Sequence, residues 1–224
     1  MAELLIAIAV FLAAHVLPAA TGLRAFLIRR LGRHLYIAAY SLISLAAIAW
    51  VIAAARAAPY IEFWPPGRVT SLVPVVAMLP ASVLLAAAAF EPNPLSVSIR
   101  SGRPDAQKSG LALLLRHPLL WAFFLWSASH LVANGDLVSV ILFGSLSVFG
   151  LAGMKLLEGR ARRRLSAADF AAVTARTRGG IAERLARVRP LRGLADLGAG
   201  LLLYAVLLKL HGPVIGVDPL AWFL

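Results

Sequence analysis

Six apolar runs, separated by short polar or Gly/Pro-bearing breaks, organise the chain: residues 4–20, 36–55, 71–90 (with Pro74 and Pro80 inside), 118–133, 137–157 and 194–210. At a rise of about 1.5 Å per residue, runs of this length approach the roughly 30 Å of a hydrocarbon core. In lipid each backbone amide must find its partner within its own segment, so such runs are read as helices. The pattern predicts an all-α, polytopic transmembrane bundle of about six spans. It is expected to form a single membrane domain over residues 1–224. A shorter apolar run, 111–115, precedes the fourth span, and the sixth span is the weakest of the set.

The breaks carry their own signals. Residues 58–67, APYIEFWPPG, place Tyr60 and Trp64 where aromatic rings suit the headgroup belt. Pro118 fits a first helical position, and Asn134-Gly135-Asp136 reads as a turn whose Asp136 caps the next helix. The longest break is a basic cytoplasmic loop at 158–193. In it Ser166-Ala167-Ala168-Asp169 resembles a capping box opening a short helix through Val173. Gly179-Gly180 breaks that helix, and residues 181–188 are weakly amphipathic. These pieces either rest on anionic headgroups or dock a partner.

Composition turns the pattern into a class. With 61% hydrophobic and 14% charged residues and a mean hydropathy of +0.84, the chain is too apolar for a water-soluble domain and reads as an integral membrane protein. A net charge of +12 would suit nucleic acid, but 11 of the 22 basic residues lie in 155–192. That clustering indicates a cytoplasmic membrane face and not a DNA-binding groove. Loops one, three and five hold 4, 4 and 11 Lys or Arg, against 2 and 0 in loops two and four. The positive-inside rule then puts the odd loops in the cytoplasm and the N-terminus outside. Glu3 before the first run and Arg24, Arg29, Arg30 and Arg33 behind it oppose the charge order of a cleaved signal peptide, so that run is expected to stay as a span. The absence of cysteine excludes disulfides, thiolate ligands and covalent haem attachment. A metal would rely on histidine, with Met78 or Met154 as weaker donors.

Ionisable groups inside apolar spans are functional candidates by default. His15, in the first span, is followed by Pro18, which removes a donor to Ala14 and is expected to kink the helix. It reads as a metal or haem ligand, a helix-to-helix hydrogen bond or a proton relay. His130 shares a helical face with Trp126 and Phe123, an apolar aromatic face that suits a planar macrocycle or ordinary packing. Ser127 and Ser129 are expected to bond carbonyls of the preceding turn. With side chains leaning toward the N-terminus of their own helices, the imidazoles of His15 and His130 are expected to approach in depth. A metal between them would need nitrogens about 4 Å apart. His117, between Arg116 and Pro118, reads as an interfacial anchor or helix start, or as a ligand contact. His34 and His211 read as residues flanking spans two and six. Asp136 is the carboxylate nearest His130 in sequence, and the spans are read as free of carboxylates, which disfavours a two-histidine, one-carboxylate iron site. No nucleotide loop, zinc motif or Ser/His/Asp set emerges.

Arg116-His117-Pro118, the segment from Trp126 to His130, Asn134-Gly135-Asp136-Leu137, Ile141-Leu142-Phe143-Gly144, and His15 with Gly22-Leu23-Arg24 together resemble the NnrU family of bacterial membrane proteins, over about the whole chain. The resemblance implies a multi-pass protein of the bacterial inner membrane. It would be associated with denitrification, supporting nitrite and nitric oxide reductases, with other membrane proteins of nitrogen-oxide respiration as partners. A related branch is the plastid and cyanobacterial 15-cis-zeta-carotene isomerase, which is similar to NnrU and binds haem b. That similarity implies haem b held by His15 and His130, with Trp126 and Ser127 beside it and redox or nitric oxide sensing as its role. The alternative is a haem-dependent cis-trans isomerase acting on a small hydrophobic polyene. The isomerase carries a cysteine where this chain has Ser127, which removes any thiolate ligand switch. Arg116, His117, Asn134 and Asp136 are further site candidates. A weaker likeness to isoprenylcysteine carboxyl methyltransferase-like proteins rests on Arg116-His117-Pro118, but Leu119 and Leu120 follow it and Glu158 stands alone. A third class is a structural anchor that docks partners through the loop 155–192.

Overall fold

The computed structural model describes residues 1–98, 100, 102 and 109–223. Of the third loop's basic residues, Arg103 and Lys108 lie outside the described residues. All regular structure among the described residues is helical: α1 (Ala2–Ala20), α2 (Leu23–Leu31), α3 (Arg33–Ala57), α4 (Arg68–Phe90), α5 (Pro118–Asn134), α6 (Leu137–Arg164), α7 (Ala167–Ala175), α8 (Ile181–Ala186) and α9 (Pro190–Ile215). Residues Leu111–Leu114 form a 3-10 turn of their own, separate from α5.

Four of these helices, α3, α4, α6 and α9, are long and apolar enough to cross a membrane. A fifth candidate joins two helices, Ala2–Pro18 and Leu23–Leu31, bent by 76° at the break between them, as in a broken span or a re-entrant loop. Pro18 lies just before that break, and Thr21 closes α1 by returning its hydroxyl to the carbonyl of Leu17. The expectation of six spans is thus met by four or five. α5 has 17 residues, about 25 Å of helix, short of a full hydrocarbon core. The weakest run of the sequence behaves the other way: α9 is 26 residues long, because Pro190 starts it well before the run and Gly216 ends it beyond.

The spans are barely covered by protein. Leu42 is 71%, Val69 79% and Leu202 67% exposed. Apolar area of that kind is stable in hydrocarbon and costly in water, and the chain is a multi-pass membrane protein.

Contacts divide the chain into two compact units. The first comprises Met1–Phe63 and Asp136–Leu142, the second Trp64–Gly135 and Phe143–Leu224. In the first, Leu4, Ala7 and Ile8 of α1 meet Val51 and Ala54 of α3, with Val138, Ile141 and Leu142 packed against them. The small side chains of Ala7 and Ala54 let the backbones approach, the usual basis of helix association in lipid. In the second, Ala81 and Leu84 of α4 meet Ala122 of α5, with Met78, Trp121 and Leu125 around them. α9 lies so close to α4 that a Cβ on Gly200 would be 2.5 Å from Val83 Cα.

The turn signals hold. Ser166 caps α7 by accepting from the Asp169 amide at 3.0 Å, and Asp136 Oδ1 accepts from the Ser139 amide at 3.0 Å to cap α6. Gly135 closes α5 at φ +69.

Candidate functional site

The two histidines expected to share a site fall in different units, and each has its own surroundings. His15 is half-buried in the first unit. Its Nδ1 lies 2.8 Å from the Phe11 carbonyl, and its ring meets Phe11 at 4.4 Å and the Tyr40 ring, edge-on, at 5.8 Å. His130 stands in the second unit, with Nδ1 2.8 Å from the Trp126 carbonyl. A carbonyl only accepts, so in both residues the proton sits on Nδ1 and the Nε2 lone pair stays available in the neutral ring. Metal-bound histidines are commonly oriented in this way.

The face around His130 is aromatic, but it is not flat. Trp126 is inclined at 49° to the imidazole and at 45° to Phe123, and Phe143 of α6 closes in at 5.4 Å from His130. Ser127 is fully buried. Its hydroxyl donates to the carbonyls of Phe123 and Phe124 and accepts from Ser147 at 2.9 Å. Back-bonding to the preceding turn was the expectation for Ser127 and Ser129, and Ser129 meets it through the Trp126 carbonyl at 3.0 Å. Asn134 donates to the His130 carbonyl at 2.7 Å, which serves the end of α5. Asp136 is engaged as the cap of α6 and lies in the other unit.

His211, expected only to flank span six, lies inside α9, and its ring centroid is 6.3 Å from that of His130 at an interplanar angle of 29°. Its Nδ1 is 2.6 Å from the Val217 carbonyl. Gly216, at φ +89, turns the chain so that this carbonyl returns onto the helix. The signal in the sequence is a histidine immediately past the apolar run, which the helix outlasts by five residues, to Ile215.

A second polar cluster occupies another part of the second unit. His117 is the residue before Pro118 at the start of α5, as expected of a helix-start role. Its ring is buried, however, and not spread over a headgroup surface. Burial holds the imidazole below its ordinary pKa, opposed by the Glu158 carboxylate 3.8 Å away. That distance is too long for a hydrogen bond. Arg116 pairs with Glu158 at 2.9 Å and reaches Thr177.

The view that the spans lack carboxylates is overturned by Asp196. It lies in α9 with 1% exposure, accepting from the Leu111 amide at 2.8 Å and facing Arg192 at 3.0 Å. Gly110 has no room for a side chain there, since a Cβ would lie 2.0 Å from Asp196 Oδ2. Glu91, also buried, takes Arg176 at 2.5 Å and the Gly110 amide at 3.2 Å, while Arg176 reaches Ser109 Oγ at 2.7 Å. The adjoining cavity, about 30 Å³, is too small for an organic substrate, so the cluster reads as a clamp on α7 and α9. No group of three or more metal-ligating side chains occurs among the described residues.

In comparison with known proteins, the family model described as NnrU protein matches residues 3–219. No curated protein matches the chain, and no solved structure does.

Proposed function

This chain belongs to the NnrU family, and on that premise we propose that it is an accessory protein of denitrification in the bacterial inner membrane, supporting nitrite or nitric oxide reductases through a histidine-bound haem b. The family likeness points to His15 and His130 as ligands. The observation that carries the reading is the state of His130: an imidazole among Trp126, Phe143 and Phe123, with its proton committed to the Trp126 carbonyl and Nε2 free. His15 is prepared in the same way by the Phe11 carbonyl. A donor set of neutral imidazoles without thiolate or carboxylate suits haem iron. The haem would supply one-electron redox chemistry and an iron site for a small ligand such as nitric oxide. The chain's part is to fix the imidazole tautomers and keep water away with aromatic walls.

The proposed topology counts α5 and the bent α1–α2 pair as crossings, with the N-terminus outside and residues 155–192 facing the cytoplasm. This arrangement is supported by the 11 basic residues of that segment. No observation favours polyene isomerisation separately: Ser127 stands in the cysteine's place with its hydroxyl engaged by Phe123, Phe124 and Ser147.

The test is the absorption spectrum of detergent-purified protein. A Soret band that is lost in His130→Ala supports the reading. A colourless protein from cells supplied with haem removes it.

A further inference from the structure

We propose that His130 and His211 together form a two-imidazole site for a transition-metal centre, so that His211 supplies the second nitrogen beside His130. The inference rests on the preceding reading only for the role of His130.

The pair joins α5 to α9, from sequence positions 81 residues apart (211 − 130). The centroids are 6.3 Å apart and the planes differ by 29°. Metal–nitrogen bonds of about 2.0–2.1 Å from each ring are compatible with one ion shared by two imidazoles at this centroid distance. Ring packing alone tolerates this distance as well. What distinguishes the pair is the state of the nitrogens. Each Nδ1 is held by a backbone carbonyl, Trp126 for His130 and Val217 for His211. Each ring therefore keeps a free Nε2 lone pair, and neither Nε2 has a hydrogen bond among the described residues. Trp126 and Phe143 flank the His130 ring, and a cation would give both acceptors a partner.

No third histidine, cysteine or carboxylate joins them among the described residues, so a closed four-ligand zinc site is excluded there. Two imidazole nitrogens without a third ligand would suit a haem iron, or a bare ion content with two imidazoles such as copper(I). The shared chemistry is a soft or borderline metal taking two imidazole nitrogens.

The experiment uses the full chain in detergent as wild type, His130→Gln, His211→Gln and His15→Gln, with the exposed His34→Gln as control. Glutamine keeps a polar side chain without an imidazole nitrogen, and thermal unfolding verifies that each variant is folded. The readouts are the Soret band with the iron spin state, and copper(I) uptake by metal-free protein against a chromophoric chelator. A low-spin haem that becomes high-spin in His211→Gln establishes the pair on haem iron. A colourless protein that takes one equivalent of copper(I), lost in His130→Gln and His211→Gln but kept in His34→Gln, establishes the pair on a bare ion while the haem reading falls. A low-spin haem unchanged in His211→Gln but altered in His15→Gln overturns the pair and leaves the haem reading standing. Neither a Soret band nor copper uptake overturns both.

Discussion

Arg176 and Glu91 are 85 residues apart in the chain, and their charged groups meet at 2.5 Å. Glu91 ends α4 in a buried position and Arg176 follows α7, so the bond ties the basic loop to the helix bundle of the second unit. Removing the arginine strands a buried carboxylate. Arg176→Ala is expected to cost about 3–5 kcal/mol, and the Glu91→Gln/Arg176→Gln double variant to recover most of it. Unfolding of the purified protein in detergent measures both. Equal stability of Arg176→Ala and wild type would show that the loop is not clamped there.

Two glycines in helices make opposite predictions. Gly200→Ala drives a Cβ to 2.5 Å from the backbone of Val83, and should cost about 1–3 kcal/mol by prying α9 from α4. Gly144 belongs to the segment that resembles the family, yet nothing lies within 4 Å of its Cβ position. Gly144→Ala is expected to be neutral or to stabilise by about 0.5–1 kcal/mol. Comparing the two thermal midpoints is enough, and the order is the prediction.

His117 makes stability depend on pH. Its folded pKa is held below the ordinary value of 6.5, chiefly by burial, with Glu158 opposing and Arg116 assisting. The unfolded chain therefore binds the proton more readily than the folded one. The sign follows: this contribution is fully present above about pH 6.5 and is lost as pH falls below it toward the folded value. The fall in thermal midpoint between pH 7.5 and 5 is expected to be smaller in His117→Asn than in wild type. Parallel pH curves for the two proteins would remove His117 as the cause.

Trp64 closes the end of α5. Its indole Nε1 donates to the Val132 carbonyl at 2.9 Å, and its amide donates to the Gly135 carbonyl at 3.2 Å. Trp64→Phe should lose about 0.5–1.5 kcal/mol with the hydrogen bond. Gly135→Ala should cost more, since its φ is +69 and the added Cβ would lie 2.1 Å from the Trp64 carbonyl. Hydrogen exchange at the end of α5 reports both losses, and the glycine variant is expected to exchange faster.

Much of the helix inventory was legible in the chain because each signal is local. Apolar length announced the spans, Pro118 the start of α5, Asp136 the cap of α6, and Ser166 with Asp169 the start of α7. The crossing count was less secure, because 17 residues of apolar helix in α5 and a 76° break between α1 and α2 lie at the limit where length alone decides. Asp196 lies within the sixth run, whose apolar pattern hides it. One carboxylate hardly changes the mean hydropathy of a run, and its partners Leu111 and Arg192 only become partners in the fold.

The sequence by itself determined the solvent of this protein, its helical class, its caps and its family motifs, since these depend on residues within a turn or two of each other. Tertiary structure decided which polar groups meet: His130 with His211, Arg176 with Glu91, and Asp196 with the turn at Leu111. Helices of similar apolarity pack in many rotations and pairings at nearly the same energy in lipid, which supplies no hydrophobic drive between them. The choice among them falls to close backbone approaches such as Gly200 on Val83 and to buried charges that tolerate only one partner.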